Sequence, residues 1–524
     1  MSSSAPGSAA SRIRPGRMFH FHLRDRQILL TFWGTILFGL MAHGMGLLNK
    51  YSYHDDIFAL FWTGTTLASG RWMLHVLGWL ETMLFGDGNF SLPLMSGLFS
   101  IVCVAFSACL LTDLLKIRKP LYSLALGCIM VAFPVMTGLF GYLFTMPYYM
   151  LAMAMMTFSA FLICRARPWW AKLAAVLLAG CSIGTYQAFL PLLLSIPLLY
   201  DIQLLSEEEQ NPADFWKRAA IQVLCIVGAL VFYLAANRFF LNKFQVELNA
   251  YMGLNQMESF APELYLGRIG TAYREFFLPS RNVPADMYPM HLYYLSRLML
   301  IVDLGLALRL ILQTGRQNRV SAGLLILLFL LYPLGCHFIY VMSDMVHGLM
   351  TYGLIMQTAL FIWLIDRWEP RPLWLRRTVS FCAALVLGLS CWMYARFDNQ
   401  CYLKANFQQQ EAISFFTAME AQIKSSDGYR DELPVVFLNE GKIADRTLYN
   451  IDELDFIRLD GYNDTIQTYI NSYAWRPFME RWCGFSPPEP DEEILGSLPS
   501  TEDMPHYPDD GSVRVMENYI LVNF

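Results

Sequence analysis

The chain has 524 residues, a net charge of −5, and 55% hydrophobic against 15% charged residues. Ordinary soluble domains carry about 25% charged residues, so composition points away from a soluble globule and toward a polytopic α-helical membrane protein. The small net charge, and the lack of a basic stripe with interleaved aromatics, remove nucleic acid as a partner.

Residues 1–27 read as a cytoplasmic tail, with Arg12, Arg14, Arg17, Arg24 and Arg26 against the single acid Asp25. The apolar run 28–48 is long enough to span and lacks a small-residue cleavage site. It therefore reads as a retained first span, not a signal peptide. Further apolar runs lie near 90–112, 120–140, 143–164, 172–186, 188–205, 218–240, 292–312, 320–341, 348–366 and 376–394, giving about eleven transmembrane helices in the region 28–395. The stretch 171–205 reads as one long helix or as two short ones breaking at Gly184-Thr185-Tyr186-Gln187. The positive-inside rule favours two. Lys and Arg then number 20 on the cytoplasmic side against 8 on the other, leaving aside the C-terminal region. A single helix would carry the Arg309–Arg319 and Arg367–Arg377 clusters outside.

That topology turns two loops outward, 49–89 and 241–291. Glu263 to Phe277 in the second has helical spacing and reads as an amphipathic helix lying on the membrane, either a clamp for a lipid-borne substrate or a simple cover. Residues 396–524 are polar and form the C-terminal domain on the outer side. Strand-like pieces (Leu433–Leu438 and Val513–Phe524) alternate with helical pattern (Asn406–Ser425 and Thr465–Phe478), so a small α+β unit is expected. No internal repeat is evident. Nine of the eleven cysteines lie in or beside apolar runs, where cysteine behaves as a small hydrophobe. Cys401 and Cys483 lie in the polar region, and either a disulfide or two free thiols fits them.

The candidate chemistry starts in the first outer loop. Asp55-Asp56 follows the first span in Lys50-Tyr51-Ser52-Tyr53-His54-Asp55-Asp56. Paired carboxylates near a low-dielectric surface push one pKa up, which suits a general base. The competing reading is a helix N-cap before Ile57. Arg71, in Gly70-Arg71-Trp72, suits a phosphate because its planar fork bonds two oxygens, and His75 shares its helical face. Their competing reading is a snorkelling interfacial pair beside belt tryptophans. Tyr186 and Gln187 sit at the predicted break between two short spans, where irregular backbone at membrane depth lines a cavity or simply makes a turn. Asp344 and His347 share a short outer loop, where His347 reads as a phosphate contact or a proton relay, or as a solvated loop histidine.

Absences narrow the class. The chain has no phosphate loop of the Gly-x-x-x-x-Gly-Lys-Ser/Thr type, no Gly-x-Ser-x-Gly elbow and no His-Glu-x-x-His pair. No Cys/His ligand spacing marks a metal site. A nucleotide-sugar donor would lie on the wrong side from the acids, so an outer active site implies a donor carried through the membrane on a lipid.

Asp55-Asp56 after the first span, then Gly70-Arg71, then Tyr186-Gln187 between two short spans, with a small polar C-terminal region, resembles the bacterial membrane glucosyltransferases of the Gtr type. These include the serotype-converting O-antigen glucosyltransferases. The resemblance runs over essentially the whole chain. It implies a GT-C-like bundle in the bacterial inner membrane with a periplasmic C-terminal domain. It also implies transfer of glucose from undecaprenyl-phosphate glucose to a lipid-linked or surface polysaccharide, without a divalent metal or other cofactor. A donor synthase and a flippase are the partners such a donor requires. The family analogy places the base on Asp55 or Asp56, favouring Asp55. The competing function is a transporter or flippase for a lipid-linked saccharide, which calls for acids near the bilayer midplane.

Overall fold

The computed structural model describes residues 25–51, 63–86, 92–207, 212–248, 262–278, 290–343, 346–439, 475–500 and 503–524. These are mostly helical, and local sequence explains where the helices begin. α1 (Arg26–Leu48) starts at Asp25, whose carboxylate accepts from the Gln27 backbone N–H at 2.9 Å. Two short helices follow, α2 (Thr63–Ala68) and α3 (Trp72–Phe85). Proline occupies the first turn of α4 (Pro93–Leu114) and α5 (Pro120–Val131), where its missing N–H costs nothing. α6 (Val135–Gly141) continues α5 after a 46° bend. Pro134 lies in that break and cannot extend the α5 ladder. Next come α7 (Met146–Arg165), α8 (Trp169–Thr185), α9 (Leu190–Glu207), α10 (Pro212–Phe244) and α11 (Pro262–Phe277). The last α-helices of the bundle are α12 (Met290–Gln317), α13 (Arg319–Cys336), the short α14 (Ile339–Met342), α15 (Ile355–Arg367) and α16 (Leu373–Ser425).

Among the described residues, seven helices are long and apolar enough to cross a membrane, or eight if the bent α5–α6 pair counts as one span. The outward surface is correspondingly apolar. On α10, Val223, Leu224, Val227, Val231 and Leu234 are all exposed, an arrangement water disfavours and lipid accepts. The expected break at Tyr186 is present. α8 ends there, a 3₁₀ turn covers Gln187–Phe189, and α9 begins. The eleven apolar runs do not map one-to-one onto helices of spanning length. α15 has 13 residues, about 20 Å of helix, short of a hydrocarbon core of about 30 Å. α12 carries Arg297, Asp303, Arg309 and Arg316 among its apolar residues.

The expected exit from the membrane near Arg396 leaves no mark on the backbone. α16 runs unbroken for 53 residues, about 80 Å, because no proline and no glycine after Gly388 interrupts it before Ser426. Its first half belongs to the bundle. Its second half presents Phe416, Met419 and Ile423 to a separate core with Phe437, Trp475, Phe478 and Phe524. A three-stranded sheet completes this unit in the order β1 (Val435–Leu438), β3 (Ile520–Asn523), β2 (Val513–Val515). β1 pairs parallel with β3, Val435 opposite Ile520, and β2 pairs antiparallel, Val513 opposite Val522. Tyr51, just past α1, packs into the same core. Cys401 and Cys483 are both free thiols: Cys401 is buried in α16, and the Cys483 thiol faces the Ile413 carbonyl at 3.9 Å.

Candidate functional site

The site is built on the turn between α2 and α3. Gly70 has φ +69°, and the backbone bonds Arg71 N to Thr66 O (3.1 Å) and Gly70 N to Leu67 O (2.9 Å) close α2 in a Schellman-type cap. This turn leaves the Ser69 and Gly70 carbonyls pointing away from α2, and both are taken up from distant helices. The Gln187 amide donates to Ser69 O at 3.0 Å and to Gly70 O at 3.3 Å. The Tyr233 hydroxyl of α10 donates to Gly70 O at 3.2 Å. A Cβ on Gly70 would stand 2.7 Å from the Tyr233 oxygen and 3.2 Å from the Gln187 nitrogen. Glycine is required twice over, by the backbone angle and by this approach.

Arg71 follows at the head of α3. Its guanidinium donates to the Tyr149 hydroxyl at 2.9 Å. It lies 5.4 Å from the Tyr186 ring centre and 5.8 Å from that of Tyr149. The two rings stack on each other at 4.1 Å with 16° between their planes. The cation is thus held against a double aromatic platform, a setting that favours a planar guanidinium over a lysine ammonium. Trp72 is buried and stacks on Phe240 at 5.5 Å. It reaches there because Gly184 of α8 has no side chain: a Cβ would meet the Trp72 indole nitrogen at 2.5 Å. His75, one turn on, meets Phe244 edge-on at 5.0 Å. Burial, and secondarily the Lys243 ammonium, hold its pKa below the ordinary imidazole value, so it is biased toward neutrality.

The structure therefore brings Arg71, Tyr186 and Gln187 together, with His75 one turn along α3. His347 is buried and opens the 3₁₀ turn Gly348–Met350. The following turn reaches the Gln187 turn through Phe189, which meets Tyr352 edge-on at 5.9 Å. Asp55, Asp56 and Asp344 lie outside the described residues. The segment that carries Asp55 and Asp56 is flanked by two fixed points, buried Tyr51 on one side and the Thr66–Arg71 cap on the other. Among the described residues no three His, Cys, Asp or Glu side chains stand close enough together to hold a metal ion.

Sequence reasoning missed Tyr149 and Tyr233, which supply the partners of Arg71 and Gly70. Both sit inside apolar runs and look like ordinary core aromatics. The only available signal was the phenol oxygen itself, which needs a partner when buried. It also missed buried acids. Asp398 of α16 accepts from the Thr137 hydroxyl at 2.5 Å. Nearby, His43 bonds the Tyr402 hydroxyl at 2.8 Å and the Val131 carbonyl at 2.7 Å. Asp303 of α12 is buried with neither carboxylate oxygen bonded among the described residues. The amphipathic helix expected at Glu263–Phe277 is α11. Arg297 closes its end by donating to the Phe276 and Phe277 carbonyls, both at 2.9 Å.

Chemically, the cluster offers a fixed cation, phenol faces and an amide at the head of α3. A planar guanidinium bonds phosphate oxygens, and aromatic faces pack against the C–H faces of sugars. The family described as Glucosyl transferase GtrII matches residues 44–358, more than half of the chain, and that stretch contains every element of this cluster. No curated protein and no solved structure matches the chain.

Proposed function

The chain belongs to the GtrII family of glucosyl transferases, and from that premise we propose that it moves glucose from undecaprenyl-phosphate glucose to an O-antigen-like polysaccharide on the periplasmic face of the inner membrane. The observation that carries this reading is the Arg71 platform, which follows the Asp55-Asp56 pair by fifteen residues in the sequence. In the proposed reaction an acceptor hydroxyl oxygen attacks the anomeric carbon and gives its proton to Asp55 or Asp56. The bond from the anomeric carbon to the phosphate oxygen breaks, and the lipid phosphate leaves with the electron pair. Arg71 balances the phosphate charge. Gln187 and Tyr233 hold the Gly70 turn, and with it Arg71, in place, which is positioning and not proton transfer.

The test is Asp55→Asn and Asp56→Asn, each assayed for glucose transfer in membranes at matched expression. Loss of transfer in at least one variant is expected, and full activity in both would remove the base from the mechanism. The flippase reading draws on one observation, the buried Asp303 of α12, which has no bonded partner among the described residues, since a buried ionisable group in a membrane protein marks ion and substrate pathways. Asp303→Asn that stops lipid translocation in vesicles while sparing transfer to acceptor would favour it.

A further inference from the structure

A polar cavity lies at the opposite end of the bundle from Arg71. Ser206 lines it and Gln187 does not. These two residues sit near the two ends of α9, which is about 27 Å long. The cavity holds about 530 Å³, and besides Ser206 its polar lining is Arg118, Arg309, Arg367, Gln313, Trp363 and Trp368, with no acid among the lining residues.

The acids nearby are already engaged. Asp366 is fully buried and accepts from the backbone N–H of Arg118 (2.7 Å) and Lys119 (3.2 Å), with Arg367 at 3.6 Å. Arg367 also donates to the Leu115 carbonyl at 2.8 Å, so it fixes the turn that carries Arg118. Glu369 reaches Arg118 only at 3.9 Å, between half-exposed side chains, where an ion pair contributes little. Arg309 lies 5.6 Å from the Trp368 ring centre and forms no ion pair among the described residues. Trp363 is 1% exposed, and its indole N–H finds no acceptor among them. Beside Arg309, α12 turns an apolar stripe outward: Leu304, Leu308 and Leu312 are 52%, 58% and 58% exposed and share one face at i, i+4 and i+8.

We propose that this cavity binds the phosphate-bearing headgroup of an anionic phospholipid, with an acyl chain along the Leu304–Leu312 stripe. Arg118 and Arg309 supply the charge, Gln313 supplies further hydrogen-bonding capacity, and the partly exposed Trp368 holds the site at interfacial depth. A soluble phosphate would use the arginines but not the stripe.

The test uses the purified full chain in detergent, with phosphatidylglycerol or phosphatidylcholine added and bound lipid counted by native mass spectrometry. Phosphatidylglycerol should be retained in preference. Arg309→Gln and Arg118→Gln should each weaken retention by about fivefold, the worth of one basic residue near an anionic headgroup, and Arg309→Lys should retain more than Arg309→Gln. Arg377→Gln, exposed at the same end and outside the cavity, should change nothing. Equal retention of the two lipids, an Arg377→Gln effect as large as that of Arg309→Gln, or displacement by millimolar inorganic phosphate would each overturn the proposal, the last by showing a free-phosphate site.

Discussion

Gly70→Ala isolates the geometry on which the site rests. The residue has φ +69°, and an L side chain in that region costs about 1–2 kcal/mol. Gly484 has a nearly identical φ, +72°, but nothing within 4 Å of where its Cβ would be. Gly484→Ala therefore measures backbone strain alone. At Gly70 the added methyl stands 2.7 Å from the Tyr233 oxygen and 3.2 Å from the Gln187 nitrogen. Both groups must move, and the three hydrogen bonds at 3.0, 3.3 and 3.2 Å onto the Ser69 and Gly70 carbonyls weaken together. Each such bond contributes about 1 kcal/mol. Gly70→Ala should thus cost about 2–3 kcal/mol more than its control, on the same hydrogen-bond scale. Because Arg71 is the next residue, the displacement reaches the cation directly, and a shift of about 1 Å in a positioning group costs about a hundredfold in rate. Both variants are to be assayed for glucose transfer in native membranes at matched expression, with heat inactivation followed in parallel. If Gly70→Ala keeps transfer at the level of Gly484→Ala, the turn does not organise the site and the reasoning fails.

Arg71→Lys keeps the positive charge but loses the fork that reaches Tyr149 and the flat face against Tyr186. Transfer efficiency should fall by about 10- to 100-fold, the worth of one charge-assisted hydrogen bond, and near-normal kcat/KM would mean that charge alone matters there. Lys50, just past α1, has its pKa pushed down to about 7 from 10.5, by burial first and by the Arg481 charge second. Between those values the unfolded chain binds more protons than the folded one, so this lysine makes stability rise with pH across the window. Thermal midpoints taken near both ends of it should show a smaller rise in Lys50→Met than in the parent protein, and equal slopes would refute the assignment.

Much of the fold was legible because its signals are local. Hydropathy marks apolar helices without reference to any partner. Asp25, Pro93 and Pro120 mark helix starts through bonds or sterics within one turn. Tyr186-Gln187 was readable as a break for the same reason, and α11 through its amphipathic spacing. The site was half legible. Arg71, Tyr186 and Gln187 stood out as polar groups at the ends of apolar runs. Their partners did not, because Tyr149 and Tyr233 lie within apolar helices and gain meaning only when those helices pack.

What the sequence determined by itself is a helical membrane chain with a small polar C-terminal unit and a short set of chemically suitable residues. The reason is that desolvation and backbone capping act residue by residue. Only the tertiary structure decided which of those residues meet. The sequence separations of 78 from Arg71 to Tyr149 and of 117 from Gly70 to Gln187 are bridged by helix packing, which no local pattern encodes. The same holds for the arginine cavity, whose cations come from three separate stretches of chain. For α16 the absence of a helix breaker is a local signal, but that its second half packs against Phe437, Trp475 and Phe524 was decided only in the tertiary structure.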